Sequence, residues 1–262
     1  MPKWGELDRD EVAAAARSGA VAVLPIGAIE QHGAHLPTGT DTLLASAVAD
    51  AAVERTGDIA LPPVAYGCSL GHTAHWPGTL SLSVATLTSV VNDIGRWVAA
   101  SGFRKLVVVN SHATNGPSAQ SALLTLRHEH PLLRTCFVSL YDVNAQAHAG
   151  YFSDADDPHA NVAETSMVLH LDAKLVTLSR AVDEEDRTCT RVLNYPMPDT
   201  THSGVVGRPT SATASAGAAL FGVIVDGITE LLQQVRAETG PFDDWPAAPP
   251  AADPYPPMKG TP

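Results

Sequence analysis

The chain has little that would tie it to an oxidising compartment, a bilayer or a polyanion. Its 262 residues include three cysteines, Cys68, Cys136 and Cys189. They lie far apart with no Cys-x-x-Cys pair, which argues against a disulfide framework or a thiolate zinc site and leaves them as small buried hydrophobes. No uninterrupted apolar run reaches the roughly 20 residues that a bilayer span needs. The opening MPKWGELDRDE turns charged at once, without the apolar stretch of a secretory signal. Cations are scarce: 16 Lys and Arg stand against 28 Asp and Glu, a formal charge of −12. That balance disfavours nucleic acid and anionic membrane, both of which are bound by clustered positive charge. A cytoplasmic protein whose partners are small molecules or other subunits is the simplest reading. No Walker loop or GxGxxG fingerprint follows a strand, and there is no GxSxG elbow, so phosphate binding and serine catalysis have no motif to rest on.

What is there is an ordinary globular composition, 45% hydrophobic, in a chain long enough for one large α/β domain. Residues 9–18 read as a helix and 20–27 as a short buried strand running into a Gly-rich loop. An alanine-rich helix follows from Asp41 to about Glu54, with Thr40 or Asp41 as its N-cap. Residues 59–67 read as a second strand, 69–79 as a long Gly, His and Pro loop, and 86–101 as a helix. KLVVVN at 105–110 has the β-branched character of a strand buried on both faces, which puts His112 just past a carboxyl end. A fourth strand at 134–141, a helix from 163 and a long closing helix at 213–238 complete the alternation. It predicts an α/β protein with a mainly parallel sheet and helices on both faces. One domain over 1–239 is expected, followed by a proline-rich tail, 240–262, that reads as an extended or mobile arm.

The densest chemistry is EQHGAHLPTGTD, where Glu30, His32 and Asp41 fall within twelve residues. His112 and Glu164 join them from far downstream. Five carboxylates and imidazoles form the kind of mixed set that binds one or two divalent ions such as zinc, manganese or iron. Two residues apart in an extended segment, Glu30 and His32 project to the same side. A carboxylate shared between two cations offsets their repulsion, so the cluster suits a dinuclear site. Of the other histidines, His35 reads as a loop-orienting residue, and one of His72 and His75 is expected to line a substrate pocket. Ser111, adjacent to His112, lacks the geometry of a nucleophile paired with a base.

At these residues the chain resembles the creatininase family of metal-dependent amidohydrolases. GAIEQHGAHLPTGTD (27–41) is similar to the family's first metal-binding segment, VVVNSHATN (107–115) to its strand and histidine loop, and HANVAETS (159–166) to its third motif. GTLSLS (78–83) and SGVVGRPTSAT (203–213) match weaker signatures. The resemblance implies a single-domain α/β/α sandwich, commonly hexameric, acting on C–N bonds of cyclic or formyl amides or, in some branches, of peptides. It implies that Glu30, His32, Asp41, His112 and Glu164 hold two divalent cations, zinc first with manganese or iron as alternatives. Asp41 would bridge them and His159 would transfer protons. Departures are visible: Thr114 stands where creatininase proper has a glutamate ligand, Asn161 and Val162 interrupt the third motif, Arg208 replaces a usual aspartate, and no tryptophan lies between Asn144 and His159. A small-molecule amide other than creatinine is the expected substrate. The alternatives are a peptidase trimming a peptide-derived biosynthetic precursor and a non-catalytic metal-binding scaffold.

Overall fold

A computed structural model describes residues 3–73 and 75–241. The tail from residue 242 onward lies outside the described residues, and with it most of the expected arm. Four strands, β1 (Ala22–Ile26), β2 (Ile59–Ala60), β3 (Lys105–Asn110) and β4 (Arg134–Ser139), form one sheet in the order β2-β1-β3-β4. Every pairing is parallel. The described helices are α1 (Arg9–Arg17), α2 (Thr40–Thr56), α3 (Val84–Ala100), α4 (Gly116–Glu129), α5 (Ala145–Tyr151), α6 (Val162–Asp172), α7 (Met197–Thr200) and α8 (Ala214–Ala237).

Strand alternation divides the core in two. Val107 and Val109 of β3 face one side, with Val23 of β1, against Leu44 and Val48 of α2, Met167 of α6 and Ile224 and Ile228 of α8. Leu106 and Val108 face the other, with Leu24 and Ile26, against Leu87 and Val91 of α3 and Leu126 of α4. Both faces of the central strands are therefore buried, as the unbroken apolar runs require, and the result is an α/β/α sandwich. Each fully buried Val, Leu or Ile there stabilises the fold by roughly 1.5–3 kcal/mol. Helix α8 is long and apolar enough by length and composition to cross a membrane; it packs along α6 and α2, with Ile224, Val225, Ile228 and Leu232 buried.

Three element boundaries differ from the sequence reading. The second strand keeps only Ile59–Ala60, with one isolated bridge from Val64 to Ile26, because Pro62 and Pro63 have no N–H to donate to the ladder. The fourth ends at Ser139, and Leu140–Asp142 turns into a 3-10 helix. Helix α2 is capped by Gly39 without a side-chain hydrogen bond, and Asp41 lies in its first turn. Already helical, Asp41 is not in the extended conformation that capping needs, and its carboxylate is available elsewhere. The order β2-β1-β3 places the switch in strand order between β1 and β3, and ligands of open α/β sheets bind at the carboxyl ends beside such a switch point.

Candidate metal centre

Loops leaving the carboxyl ends of all four strands converge there. The first, after β1, is tied down by Gly27 N–H to Val64 O (3.0 Å) and Glu30 N–H to Thr38 O (2.8 Å). A β-carbon on Gly27 would collide with the backbone of Asp41 and Thr42, so only glycine lets the start of α2 approach this loop and set Asp41 beside Glu30. Ser111 serves here: its hydroxyl donates to the Asp41 carbonyl at 2.6 Å. From β3, the Asn110 side chain donates to His112 O (2.8 Å) and accepts from His112 N–H (3.2 Å). Asn115 links Cys68 N–H (2.8 Å) to Gly27 O (2.9 Å). These amides clamp three loops to one another.

All five sequence-selected ligand candidates and His159 are brought together, and all are buried. His32 Nδ1 lies 3.0 Å from Glu30 O, so Nδ1 carries the proton and Nε2 is aimed inward, the arrangement found for metal-binding imidazoles. His32 Nε2 is 3.5 Å from Asp41 Oδ1 and 4.0 Å from Glu164 Oε2. The other Asp41 oxygen faces His112 Nδ1 at 3.6 Å, and His112 Nε2 is 3.2 Å from Glu30 Oε2. Asp41 thus turns its two oxygens to two different histidines. Ligand-type atoms of Glu30, His32 and Asp41 all lie within 4.8 Å of one another, as do those of Glu30, His72 and His159. Glu30 Oε2, His32 Nε2 and Asp41 Oδ2 are buried without a hydrogen-bond partner. Three such orphans in one place would cost several kcal/mol unless something satisfies them, and nitrogen and oxygen donors of this kind fit a divalent cation.

The electrostatics agree. Burial alone would lower the pKa of His32, but Asp41, then Glu164 and Glu30, raise it to about 10. Burial would raise that of Glu30, yet the His112 charge, with His159 and His72, pulls it well below the usual carboxylate range. Burial and the Asp41 charge raise Glu164 despite His32. In the metal-free protein His32 therefore holds a proton that a cation must displace. Its folded pKa exceeds the ordinary 6.5, so its ion pairs stabilise the metal-free fold fully below that pH and are lost as pH rises through about 10. Apparent cation affinity should climb steeply between pH 6 and 9, with protons released on binding. Calorimetry in two buffers of different ionisation enthalpy measures both, and a flat profile would remove His32 from the ligand set.

The third motif's departures have structural work. Asn161 caps α6 by accepting from Glu164 N–H (3.2 Å), and its amide donates to Asp154 (2.7 Å) and Tyr151 O (2.9 Å). Ala160 is the sole described non-glycine residue at positive φ, +49°. That turn directs its N–H onto Glu164 Oε2 at 2.7 Å. Holding an L-residue there costs about 1–3 kcal/mol, a strain that fixes Glu164. Ala160→Val, with a β-branched side chain, should lower stability by at least about 2 kcal/mol, whereas Ala160→Gly should be nearly neutral in a thermal melt. The Thr114 hydroxyl donates to Cys68 O and lies 2.7 Å from His112 Nε2, so it orients the histidine.

A cavity of about 240 Å³ opens onto this cluster, with His72, Tyr141, Tyr151, Tyr195 and Met197 among its walls. A larger hollow of about 650 Å³ lies nearby, but its carboxylates hold loops: Glu184 accepts from Ser203 and Asp186 from the backbone of Asp156 and Asp157. Of the two loop histidines, His72 lines the site, 3.2 Å from Glu30 Oε1, while His75 is exposed against Trp76. His35 stays outside the cluster, its Nε2 2.9 Å from Thr165 Oγ1, joining the loop to α6. The contact of His72 with Glu30 and the two asparagine clamps were not read from the sequence. No local pattern marks the His72 contact or the Asn115 clamp, because their partners lie 42 or more positions away, whereas the Asn110 clamp closes on His112 two positions on.

The architecture and the buried carboxylate and imidazole cluster define an α/β/α sandwich protein with a candidate metal centre. The chain matches the creatininase family, described as creatinine amidohydrolase, over residues 5–232, and it belongs to that family. It is 34% identical over 248 residues to creatinine amidohydrolase of Pseudomonas putida, covering 88% of this chain and 95% of the relative. It is 32% identical over 222 residues to the mycofactocin precursor peptide peptidase of Mycolicibacterium smegmatis, covering 81% and 84%. A crystal structure of creatininase superposes with a TM-score of 0.81 at 32% identity, covering 90% of this chain and 98% of the other. Solved creatininases include a Zn–Zn form and a manganese form.

Proposed function

We propose that the protein is a dinuclear metal-dependent amidohydrolase that cleaves a cyclic-amide or formamide C–N bond of a small molecule. The observation that carries this reading is Asp41 presenting one oxygen to His32, beside Glu164, and the other to His112, beside Glu30. In it Glu30, His32, Asp41, His112 and Glu164 would hold two divalent cations, with Asp41 the carboxylate shared between them. Zinc is the first choice, as borderline nitrogen and oxygen donors accept zinc, manganese and iron. When bound, such ions supply a water activated near neutral pH and a polarised carbonyl.

The chain's own residues do the rest. His159 Nδ1 is fixed by Gly204 O at 2.8 Å, which leaves Nε2, 2.8 Å from Glu30 Oε1, as the atom that carries a proton to the departing nitrogen. The backbone pairing of His159 with Val206 holds that ring against the cavity. Tyr141, Tyr195 and Met197 line the cavity where the scissile bond would sit. A cavity of about 240 Å³ is at the small end for ligand sites, which favours a compact amide. A cytoplasmic hexamer belongs to the same proposal, on the family resemblance, and light scattering would measure the subunit number.

The second reading is a peptidase acting on a peptide-derived precursor, favoured by the similarity to the mycofactocin precursor peptide peptidase. Assaying the zinc-loaded protein against cyclic amides, formamides and short peptides separates the two. Turnover of the small amides is the expected result, and turnover of peptides alone would overturn the preference. Less than one tightly held ion per chain after chelator-free purification would favour a scaffold.

A further inference from the structure

Tyr151 ends α5 with its side chain buried, 3% exposed, in the wall of the 240 Å³ cavity. Its hydroxyl has no hydrogen-bond partner. The neighbouring Tyr141 ring meets Tyr151 edge to face at 5.7 Å. The groups acting electrostatically on the Tyr151 hydroxyl are Glu164 and Asp41, then Tyr141. Phenylalanine would fill this space equally well without desolvating a hydroxyl, and a buried phenol normally finds a partner. The backbone that carries the ring is held in place: Asn161, which caps the helix bearing Glu164, also donates to the Tyr151 carbonyl at 2.9 Å.

We infer that Tyr151 is a further catalytic residue, whose hydroxyl donates a hydrogen bond to the reacting carbonyl oxygen of the substrate as that oxygen gains charge. As the water oxygen bonds to the carbonyl carbon, it gives up one proton to His159 and the π electron pair moves onto the carbonyl oxygen. The C–N bond then breaks as that pair returns and the nitrogen takes the proton carried by His159. The Tyr151 proton stays on its own oxygen throughout. A donor fixed in advance in a water-poor cavity stabilises developing charge without reorganising at the moment of reaction. The inference rests on the hydrolase reading above, and it selects substrates with a carbonyl oxygen small enough to reach between Tyr151 and the carboxylate cluster.

Tyr151→Phe, compared with wild type, tests it in four measurements. Metal content by elemental analysis should be equal in the two proteins. The metal-free variant should melt at the same temperature or higher, since it loses only an unpartnered buried hydroxyl. Zinc-loaded variant should bind inorganic phosphate, a tetrahedral oxyanion, about tenfold more weakly or worse. On any amide that the wild type turns over, kcat should fall about 100-fold or more with KM within about threefold. Equal phosphate affinity, including no measurable binding by either protein, overturns the inference. So does loss of metal from the variant, which would make Tyr151 a positioning residue for Glu164. Wild-type metal content below two ions per chain would instead count against the dinuclear reading, and it is read before the variant is compared.

Discussion

Asp41→Ala should leave the protein unable to retain either cation and without hydrolytic activity. The carboxylate is 1% exposed and its two oxygens face separate histidines, so one substitution removes a donor from both halves of the cluster. Elemental analysis should read two ions per chain in wild type and none in the variant. Stability gives a second measurement. A ligand at about 1,000 times its dissociation constant stabilises the folded state by about 4 kcal/mol, or roughly 10 °C in melting temperature for a chain of this size. Zinc should raise the wild-type transition by that order and leave Asp41→Ala unmoved. The variant itself should still fold, because Glu164 and Glu30 remain beside His32 and still offset its burial. Retention of one ion per chain would show that the halves are independent and would withdraw the bridging role.

His159→Ala should give the opposite pattern: full metal content with turnover reduced about 100- to 10,000-fold, the usual range for a lost general acid or base. The imidazole meets only the Gly204 carbonyl and Glu30 through hydrogen bonds, and its backbone pairing with Val206 does not depend on the side chain. The fold should survive. The pH dependence of kcat should lose one limb, and small amines should restore part of the rate. An unimpaired His159→Ala protein would end the proton-transfer role and move attention to His72, the other imidazole on Glu30 Oε1.

Much of this site was legible before folding, for reasons that differ along the chain. Glu30, His32 and Asp41 fall in one short segment, so their association is nearly local, and the unbroken valines of β3 announce a buried strand whose carboxyl end carries His112. Residues 59–67 were misread because apolar content alone was counted, while Pro62 and Pro63 decide where the ladder ends. Thr40 or Asp41 reads as the cap of α2 whereas Gly39 is the cap, since this run of Thr, Gly, Thr and Asp offers several capping positions and only the packing of Gly27 against Asp41 and Thr42 selects among them.

The order of side chains by itself determined the parallel α/β class, the apolar faces of each strand and the identity of the five ligand candidates, because periodicity and residue chemistry are local properties. Only the tertiary structure decided that Asp41 divides its oxygens between His32 and His112, that His72 and not His75 turns inward, and that the Tyr151 hydroxyl is left without a partner. Those facts depend on distances between loops tens of residues apart, set by the sheet that brings four carboxyl ends together. No side chain carries that information until the core on both faces has closed.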